Sequence, residues 1–129
     1  MERRPRVLVI DDEPDVVEMM KMALERQFEV LVAYDGKSGV AKARAERPEA
    51  IVLDIMMPEK DGFTACKELK EDAATAHIPI LILTGVAEYF SRTQFAKSKG
   101  MEIEAEDFMA KPVDPNELVR RIAALIRKA

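Results

Sequence analysis

Cysteine is almost missing from this chain. Cys66 is the only one, so no internal disulfide can form. That excludes a small disulfide-held secreted fold, and a lone thiol suits a reducing compartment, so a cytoplasmic location is expected. Cys66 itself reads as a small apolar core residue. Long apolar runs are missing too. None approaches the roughly 18 residues that a membrane span needs, and the run behind the basic start, Val7 to Ile10, is too short for the core of a signal peptide. No membrane contact is expected. Nor is there an excess of positive charge: 24 acidic side chains face 20 basic ones, a formal net charge of -4. Direct nucleic-acid binding by these residues, which relies on a basic patch, is therefore not expected. The pattern Gly-x4-Gly-Lys-Ser/Thr does not occur, which counts against a phosphate-cradling nucleotidase loop. Internal repeats, low-complexity stretches and linkers are also absent.

What is present suits one globular domain spanning residues 1–129, with 48% apolar and 34% charged residues. Val7-Leu8-Val9-Ile10, Glu29 to Ala33, Ala50-Ile51-Val52-Leu53 and Ile78 to Leu83 read as strands, and Phe108-Met109-Ala110 as a weaker fifth. Between them lie helical patterns. Val16, Val17, Met20, Ala23 and Leu24 mark the first, with Pro14 in its opening turn. Asp35-Gly36 turns into an Ala-rich helix reaching about Arg47, before Pro48. Pro58 to Gly62 makes a turn, and Phe63, Cys66, Lys67 and Leu69 mark a third helix. A further helix is predicted from Val86 to about Lys99, where Tyr89, Phe90 and Phe95 are expected to contribute mostly to the core. The last helix opens with Asp114 as N-cap, Pro115 at the first position and Glu117 in the capping-box position, and buries Leu118, Ile122, Leu125 and Ile126. Five β-α units in alternation predict a parallel sheet with helices on both faces and right-handed crossovers.

The polar residues fall in a pattern. Asp11 and Asp12 end the first strand, Asp54 the third, Thr84-Gly85 the fourth and Lys111 the fifth. Carboxyl ends of parallel strands share one sheet edge, where open α/β sheets bind ligands at the point of strand-order reversal. In the order 2-1-3-4-5, taken over from known doubly wound sheets, that point lies between strands one and three and gathers Asp11, Asp12 and Asp54. Clustered carboxylates repel one another and call for a hard divalent cation with oxygen ligands, such as Mg2+. Asp54 then offers a nucleophilic carboxylate oxygen, Lys111 a flexible positive charge and Thr84 a hydroxyl donor. Each residue alone has a plainer reading: Asp11-Asp12 as a helix-capping pair before Pro14, Asp54 as a turn residue. His77, the only histidine, sits in a loop and is expected at the surface.

Asp11-Asp12, Asp54 followed by Met56-Pro58 and Asp61-Gly62, Thr84-Gly85 and Lys111-Pro112 together resemble the receiver domains of bacterial response regulators in two-component signalling, over nearly the whole chain. The resemblance implies a flavodoxin-like three-layer α/β/α fold. It implies that Asp54 takes a phosphoryl group from a sensor histidine kinase or phosphotransfer protein. It further implies Mg2+ on Asp11, Asp12, Asp54 and the backbone carbonyl of Met56, with Thr84, Gly85 and Lys111 around the phosphate. Thr84 and the strand-five aromatic Phe108 would switch a surface around the fourth helix, strand five and the last helix for an effector, an output domain or a second copy. Two departures stand out. Gly100 to Glu106 is a longer, acidic connection than the family's usual turn, and the run Glu102 to Asp107 is expected to be a solvated loop. Phe108 lacks the hydroxyl of the frequent tyrosine, so its inward state is expected to be favoured even without phosphate. Two alternatives are a Mg2+-dependent phosphohydrolase of haloacid-dehalogenase type and a receiver that signals without phosphorylation. The first needs an acid/base Asp two positions after the nucleophile, where this chain has Met56.

Overall fold

β-branched and leucine side chains pack well on a pleated surface covered on both sides, and the most apolar runs become the central strands. The computed structural model describes residues 3–55, 62–85 and 105–128. Within them lie β1 (Arg6–Ile10), α1 (Pro14–Leu24), β2 (Glu29–Ala33), α2 (Gly36–Glu46), β3 (Ala50–Asp54), α3 (Gly62–Glu71), β4 (Ile80–Thr84), β5 (Asp107–Ala110) and the last helix, here α4 (Pro115–Lys128). The five strands form one parallel sheet in the order β2-β1-β3-β4-β5, as expected. Every residue of β3 and β4 is buried, whereas β2 and β5 are edges with exposed positions. The open side of β2 is partly covered by Lys42 of α2, whose ammonium donates to the Val32 carbonyl at 2.8 Å.

Period-two alternation sends the strand side chains into two layers. Leu8, Ile10, Ile51, Leu53, Ile80 and Ile82 pack with Val40, Ala43, Phe63, Cys66 and Leu69 of α2 and α3. Val7, Val9, Val52, Leu81, Leu83 and Met109 pack with Val17, Met20, Leu24, Leu118 and Ile122 of α1 and α4. Burying each large side chain is worth about 1.5–3 kcal/mol, so the two layers supply the main driving force for the sheet. Leu125 and Ile126, expected in the buried stripe of the last helix, are half-buried against the second layer. Cys66 is buried and His77 exposed, as expected.

Several local expectations change. Strand four begins at Ile80 rather than Ile78, because Pro79 has no N–H for the ladder. Only its carbonyl joins, accepting from Ile51 N–H at 3.0 Å. Asp35 is the N-cap of α2, its Oδ1 accepting from Ser38 N–H at 2.7 Å. Arg47 closes α2 in the left-handed region (φ 47°) just before Pro48. Asp114 does cap α4, accepting from Asn116 and Glu117 N–H at 2.9 and 3.3 Å. The Glu117 carboxylate binds Arg121 one turn on instead of completing a capping box. The helix predicted at 86–99 with its aromatics, the turn at 58–61 and the connection at 100–104 lie outside the described residues.

α2 approaches the sheet closely through Gly39. A methyl group there would meet Ile10 Cδ1 at 2.6 Å and both its γ carbons at 2.9 Å. Because Ile10 immediately precedes Asp11, this contact also sets the height of the strand end. Gly39→Ala is expected to cost roughly 1–3 kcal/mol in urea unfolding through overpacking. Most of that cost should vanish in an Ile10→Ala background, since the two sites couple directly.

Candidate functional site

Backbone hydrogen bonds continue past the strands and hold the departing residues in place. Asp11 N–H donates to the Ala33 carbonyl at 3.2 Å, Ile55 N–H to Leu83 at 3.1 Å and Lys111 N–H to Thr84 at 2.8 Å. β1 pairs with β2 on one side and β3 on the other, so the chain leaves β1 over a crevice beside the end of β3. Asp11 and Asp54 are both buried there, with relative exposures of 0% and 2%, and Asp12 is half-buried at the rim. One carboxylate oxygen from each of Asp11, Asp12, Glu13 and Asp54 lies within 4.8 Å of all the others.

Lys111 reaches into this cluster from the end of β5, just before a cis peptide to Pro112. Its ammonium lies 3.3 Å from Asp11 Oδ2, 3.3 Å from Asp54 Oδ1 and 3.1 Å from Glu13 Oε1. Thr84 ends the neighbouring strand, buried, with its hydroxyl donating to the Gly85 carbonyl at 3.0 Å. The sequence-predicted residues Asp11, Asp12, Asp54 and Lys111 thus converge on one point, and Thr84 and Gly85 stand at the adjoining strand end. Met56 lies outside the described residues. Phe108 sits opposite Ile82 in the ladder, half-buried against the α2/α3 layer.

Glu13 was not anticipated here. The sequence did carry a signal, since an acidic residue directly follows Asp11-Asp12. The capping reading of that pair also changes. Glu13 is the N-cap of α1 without a side-chain cap bond, and Asp11 Oδ1 accepts from Glu13 N–H at 2.9 Å. One aspartate oxygen thereby orders the loop while the other, Oδ2, is buried with no aligned hydrogen-bond donor.

Burial pushes the Asp11 carboxyl above its ordinary range, an effect only partly offset by the Glu13 N–H and the Lys111 charge. For Lys111, burial acts to lower its pKa, but the charges of Asp54 and Asp11 outweigh it and hold the ammonium firmly protonated. Four clustered carboxylates, three of them against this one ammonium, leave the cluster net negative. All its ligand atoms are hard oxygens, and the buried Asp11 Oδ2 has, among the described residues, only the Lys111 ammonium beside it, a set that suits a hard divalent cation.

The acidic run before β5 is not simply solvated at its described end. Glu106 accepts from Ile80 N–H at 2.6 Å and binds the nearly buried ammonium of Lys70. Lys70 also donates to the Ala76 and Ile78 carbonyls at 3.2 and 2.8 Å. Asp107 accepts from Arg121 at 3.0 Å. These bonds fix the start of β5 and so the register that delivers Lys111.

Comparison with known proteins places the chain in a family. Residues 7–123 match the family described as the response regulator receiver domain. The chain belongs to that family. Across 96% of its length the receiver is 38% identical to the Synechocystis "DNA-binding dual master transcriptional regulator RpaA", of which the match spans 50%. It is also 38% identical, over 96% of its length, to the Bacillus subtilis "Alkaline phosphatase synthesis transcriptional regulatory protein PhoP", of which the match spans 49%. The receiver therefore spans about half the length of these relatives. Among solved structures, the signal receiver domain of a signal transduction histidine kinase from Syntrophus aciditrophicus aligns with a TM-score of 0.85 at 26% identity, covering 97% of this receiver and 92% of that chain. Receiver domains bind Mg2+ in an acidic pocket, and this receiver carries a cluster of acidic side chains. Membership in this family disfavours the phosphohydrolase alternative.

Gly62 governs the backbone under Asp54. A methyl group on Gly62 would lie 2.5 Å from the Asp54 carbonyl oxygen and 2.5 Å from Ile55 Cα, while its own N–H donates to the Ile55 carbonyl at 2.9 Å. Neither obstacle is a movable side chain. Gly62→Ala should therefore lower thermal stability, by about 1–3 kcal/mol, and shift the amide NMR signals of Asp54 and Ile55 well beyond those of distant residues.

The raised Asp11 pKa has a definite sign. The folded state holds this proton more tightly than the unfolded chain, so the ionised carboxylate costs stability. The cost is absent below the ordinary pKa and grows as pH rises through the folded value. In chelator-treated protein, Asp11→Asn should be more stable than the parent at neutral pH. The gap should close towards acid pH in urea unfolding from about pH 7 down to about pH 4.

Proposed function

We propose that this receiver is a phosphorylation switch in which Asp54 accepts a phosphoryl group from a sensor histidine kinase or phosphotransfer protein. The observation that carries the proposal is the Lys111 ammonium bridging Asp54 and Asp11 at 3.3 Å each on the ligand-binding edge of the sheet. An oxygen of the Asp54 carboxylate forms the new bond to phosphorus as the bond from phosphorus to the donor atom breaks. Asp54 is pre-aimed by the end of β3 and by the close approach of Gly62 to its backbone, and Lys111 and the Thr84 hydroxyl are at hand for the phosphoryl oxygens. Asp11, Asp12, Asp54 and the Met56 carbonyl would hold Mg2+, which neutralises phosphoryl charge when bound. The buried Asp11 Oδ2, which lacks an aligned donor, supports that ligand set.

The acyl phosphate adds about -1.5 to -2 charges in a cluster that is already negative. Lys111, Thr84 and the Gly85 backbone are the groups able to answer that charge, and Thr84 with Phe108 would pass it to the surface near β5 and α4. The residues 1–129 act on this reading as a single receiver domain, a switch rather than a turnover enzyme, with slow self-dephosphorylation at most. Its readout is a changed surface for an effector, an attached output domain or a second copy. The curated relatives are named as transcriptional regulators, one of them as DNA-binding. Nucleic-acid contact is assigned to such an output and not to this acidic domain. Among the described residues no helix is long and apolar enough to cross a membrane, and a sequence with Cys66 as its single cysteine fits a cytoplasmic setting.

Incubation with acetyl phosphate and Mg2+ should label the protein with one acid-stable, hydroxylamine-labile phosphoryl group. Asp54→Asn and Asp54→Ala should show none, and chelation should abolish labelling of the parent. Mg2+ alone should raise the melting temperature of the parent by binding the folded state, and have little effect on Asp11→Asn. Equal labelling of Asp54→Asn would overturn the assignment.

A further inference from the structure

The shortest of the three carboxylate contacts of Lys111 is its hydrogen bond to Glu13, at 3.1 Å. The contacts to Asp11 and Asp54 are ion pairs at 3.3 Å. The Glu13 side chain is 59% exposed, against 21% for Lys111, so the carboxylate stands on the solvent side of the ammonium at the mouth of the crevice. Pro14 follows it at the first position of α1 and Asp11 Oδ1 holds its N–H. The backbone of Glu13 is therefore fixed, and its carboxylate is within reach of the ammonium with little conformational cost.

We propose that Glu13 is a positioning residue for phosphoryl transfer: it shares the Lys111 ammonium with Asp54 at the mouth of the crevice and competes for it with a phosphoryl group arriving on Asp54. The inference rests on the phosphoacceptor reading of Asp54. Two physical effects follow from the placement. An anionic phosphodonor approaches Asp54 past an exposed like charge. Once the phosphoryl group arrives, it competes with Glu13 for the same ammonium. Both effects slow transfer, in which the donor's P–O bond breaks, a new bond forms from phosphorus to an Asp54 oxygen, and acetate leaves with the bonding electrons when acetyl phosphate is the donor. Glu13 thus acts as a brake on phosphorylation by small donors. It touches no reacting atom in this arrangement: the first effect acts through space and the second, the larger, through Lys111.

The test uses the full chain at saturating Mg2+, so that altered metal affinity does not enter. The rate of labelling by acetyl phosphate is followed by intact-protein mass spectrometry for the parent, Glu13→Gln, Lys111→Met and the double variant. Glu13→Gln should label about three- to tenfold faster at low salt, the order expected when one partly solvated charge is removed beside the reacting oxygens. That gain should shrink as ionic strength rises, because Glu13 is exposed. In the Lys111→Met background the gain should be smaller, since the group through which Glu13 acts is gone. Metal-free melting of the same four proteins gives a readout independent of transfer. The change in melting temperature on Glu13→Gln should be more favourable without Lys111 than with it. Glu13→Gln labelling at or below the parent rate, an equal gain in both backgrounds, or melting changes that are identical with and without Lys111 would each overturn the inference. If Asp54→Asn is unlabelled while Glu13→Gln is unchanged, only the role of Glu13 fails. If Asp54→Asn is labelled, the phosphoacceptor reading fails first.

Discussion

The Lys111 ammonium packed against Asp11, Asp54 and Glu13 is the contact on which the functional edge depends. Two of those carboxylates are buried, and a buried charge without a partner is strongly destabilising. Lys111 lets the sheet bring them together, yet one cation does not balance four carboxylates. The residual negative charge suits the pocket to a divalent ion and then to a phosphoryl group. The same imbalance explains the opposite responses of the two partners. Burial dominates at Asp11 and raises its pKa, whereas at Lys111 the surrounding carboxylates overcome burial.

Everything that carries Lys111 to this point is therefore part of the site. Its N–H is tied to the Thr84 carbonyl, and the register of β5 against β4 is held further back by Glu106 on Ile80 and Lys70. On the other side of the crevice, Gly39 lets α2 close on Ile10, and Gly62 lets the chain fold back over the backbone of Asp54. The two glycines serve by lacking a side chain where helix and strand meet. A methyl group at Gly62 would press on the Asp54 backbone, and one at Gly39 on the Ile10 side chain next to Asp11. Core packing and site geometry are in this sense one constraint, since rigid apolar layers transmit a local shift to the edge.

Much of this was legible from residue order. The strand runs, the alternation with helical patterns and the polar residues at strand ends led to the sheet, its helices and the roles proposed for Asp11, Asp12, Asp54, Thr84 and Lys111. The misses share a cause. Ile78 and Pro79 look like strand because they are apolar, but a ladder needs an N–H that proline lacks. Glu117 looks like a capping-box residue because of its spacing, but Arg121 competes for it one turn later. Glu106 and Asp107 look like solvated charges because they are acidic and consecutive, and only the fold reveals Lys70 and Arg121 as their partners.

By itself the sequence determined the fold class and put Asp11, Asp12, Asp54, Thr84 and Lys111 at strand ends on one edge, without Glu13. Hydrophobic period and turn chemistry are local, and the carboxyl end of a parallel strand always lies on the same side of the sheet. The tertiary structure alone decided which of those polar residues touch. Whether Lys111 meets Asp54, and whether Glu13 joins them, depends on register and helix placement across residues far apart in the chain, through contacts a few ångströms long. Those distances follow from how the layers pack, and no local pattern records them.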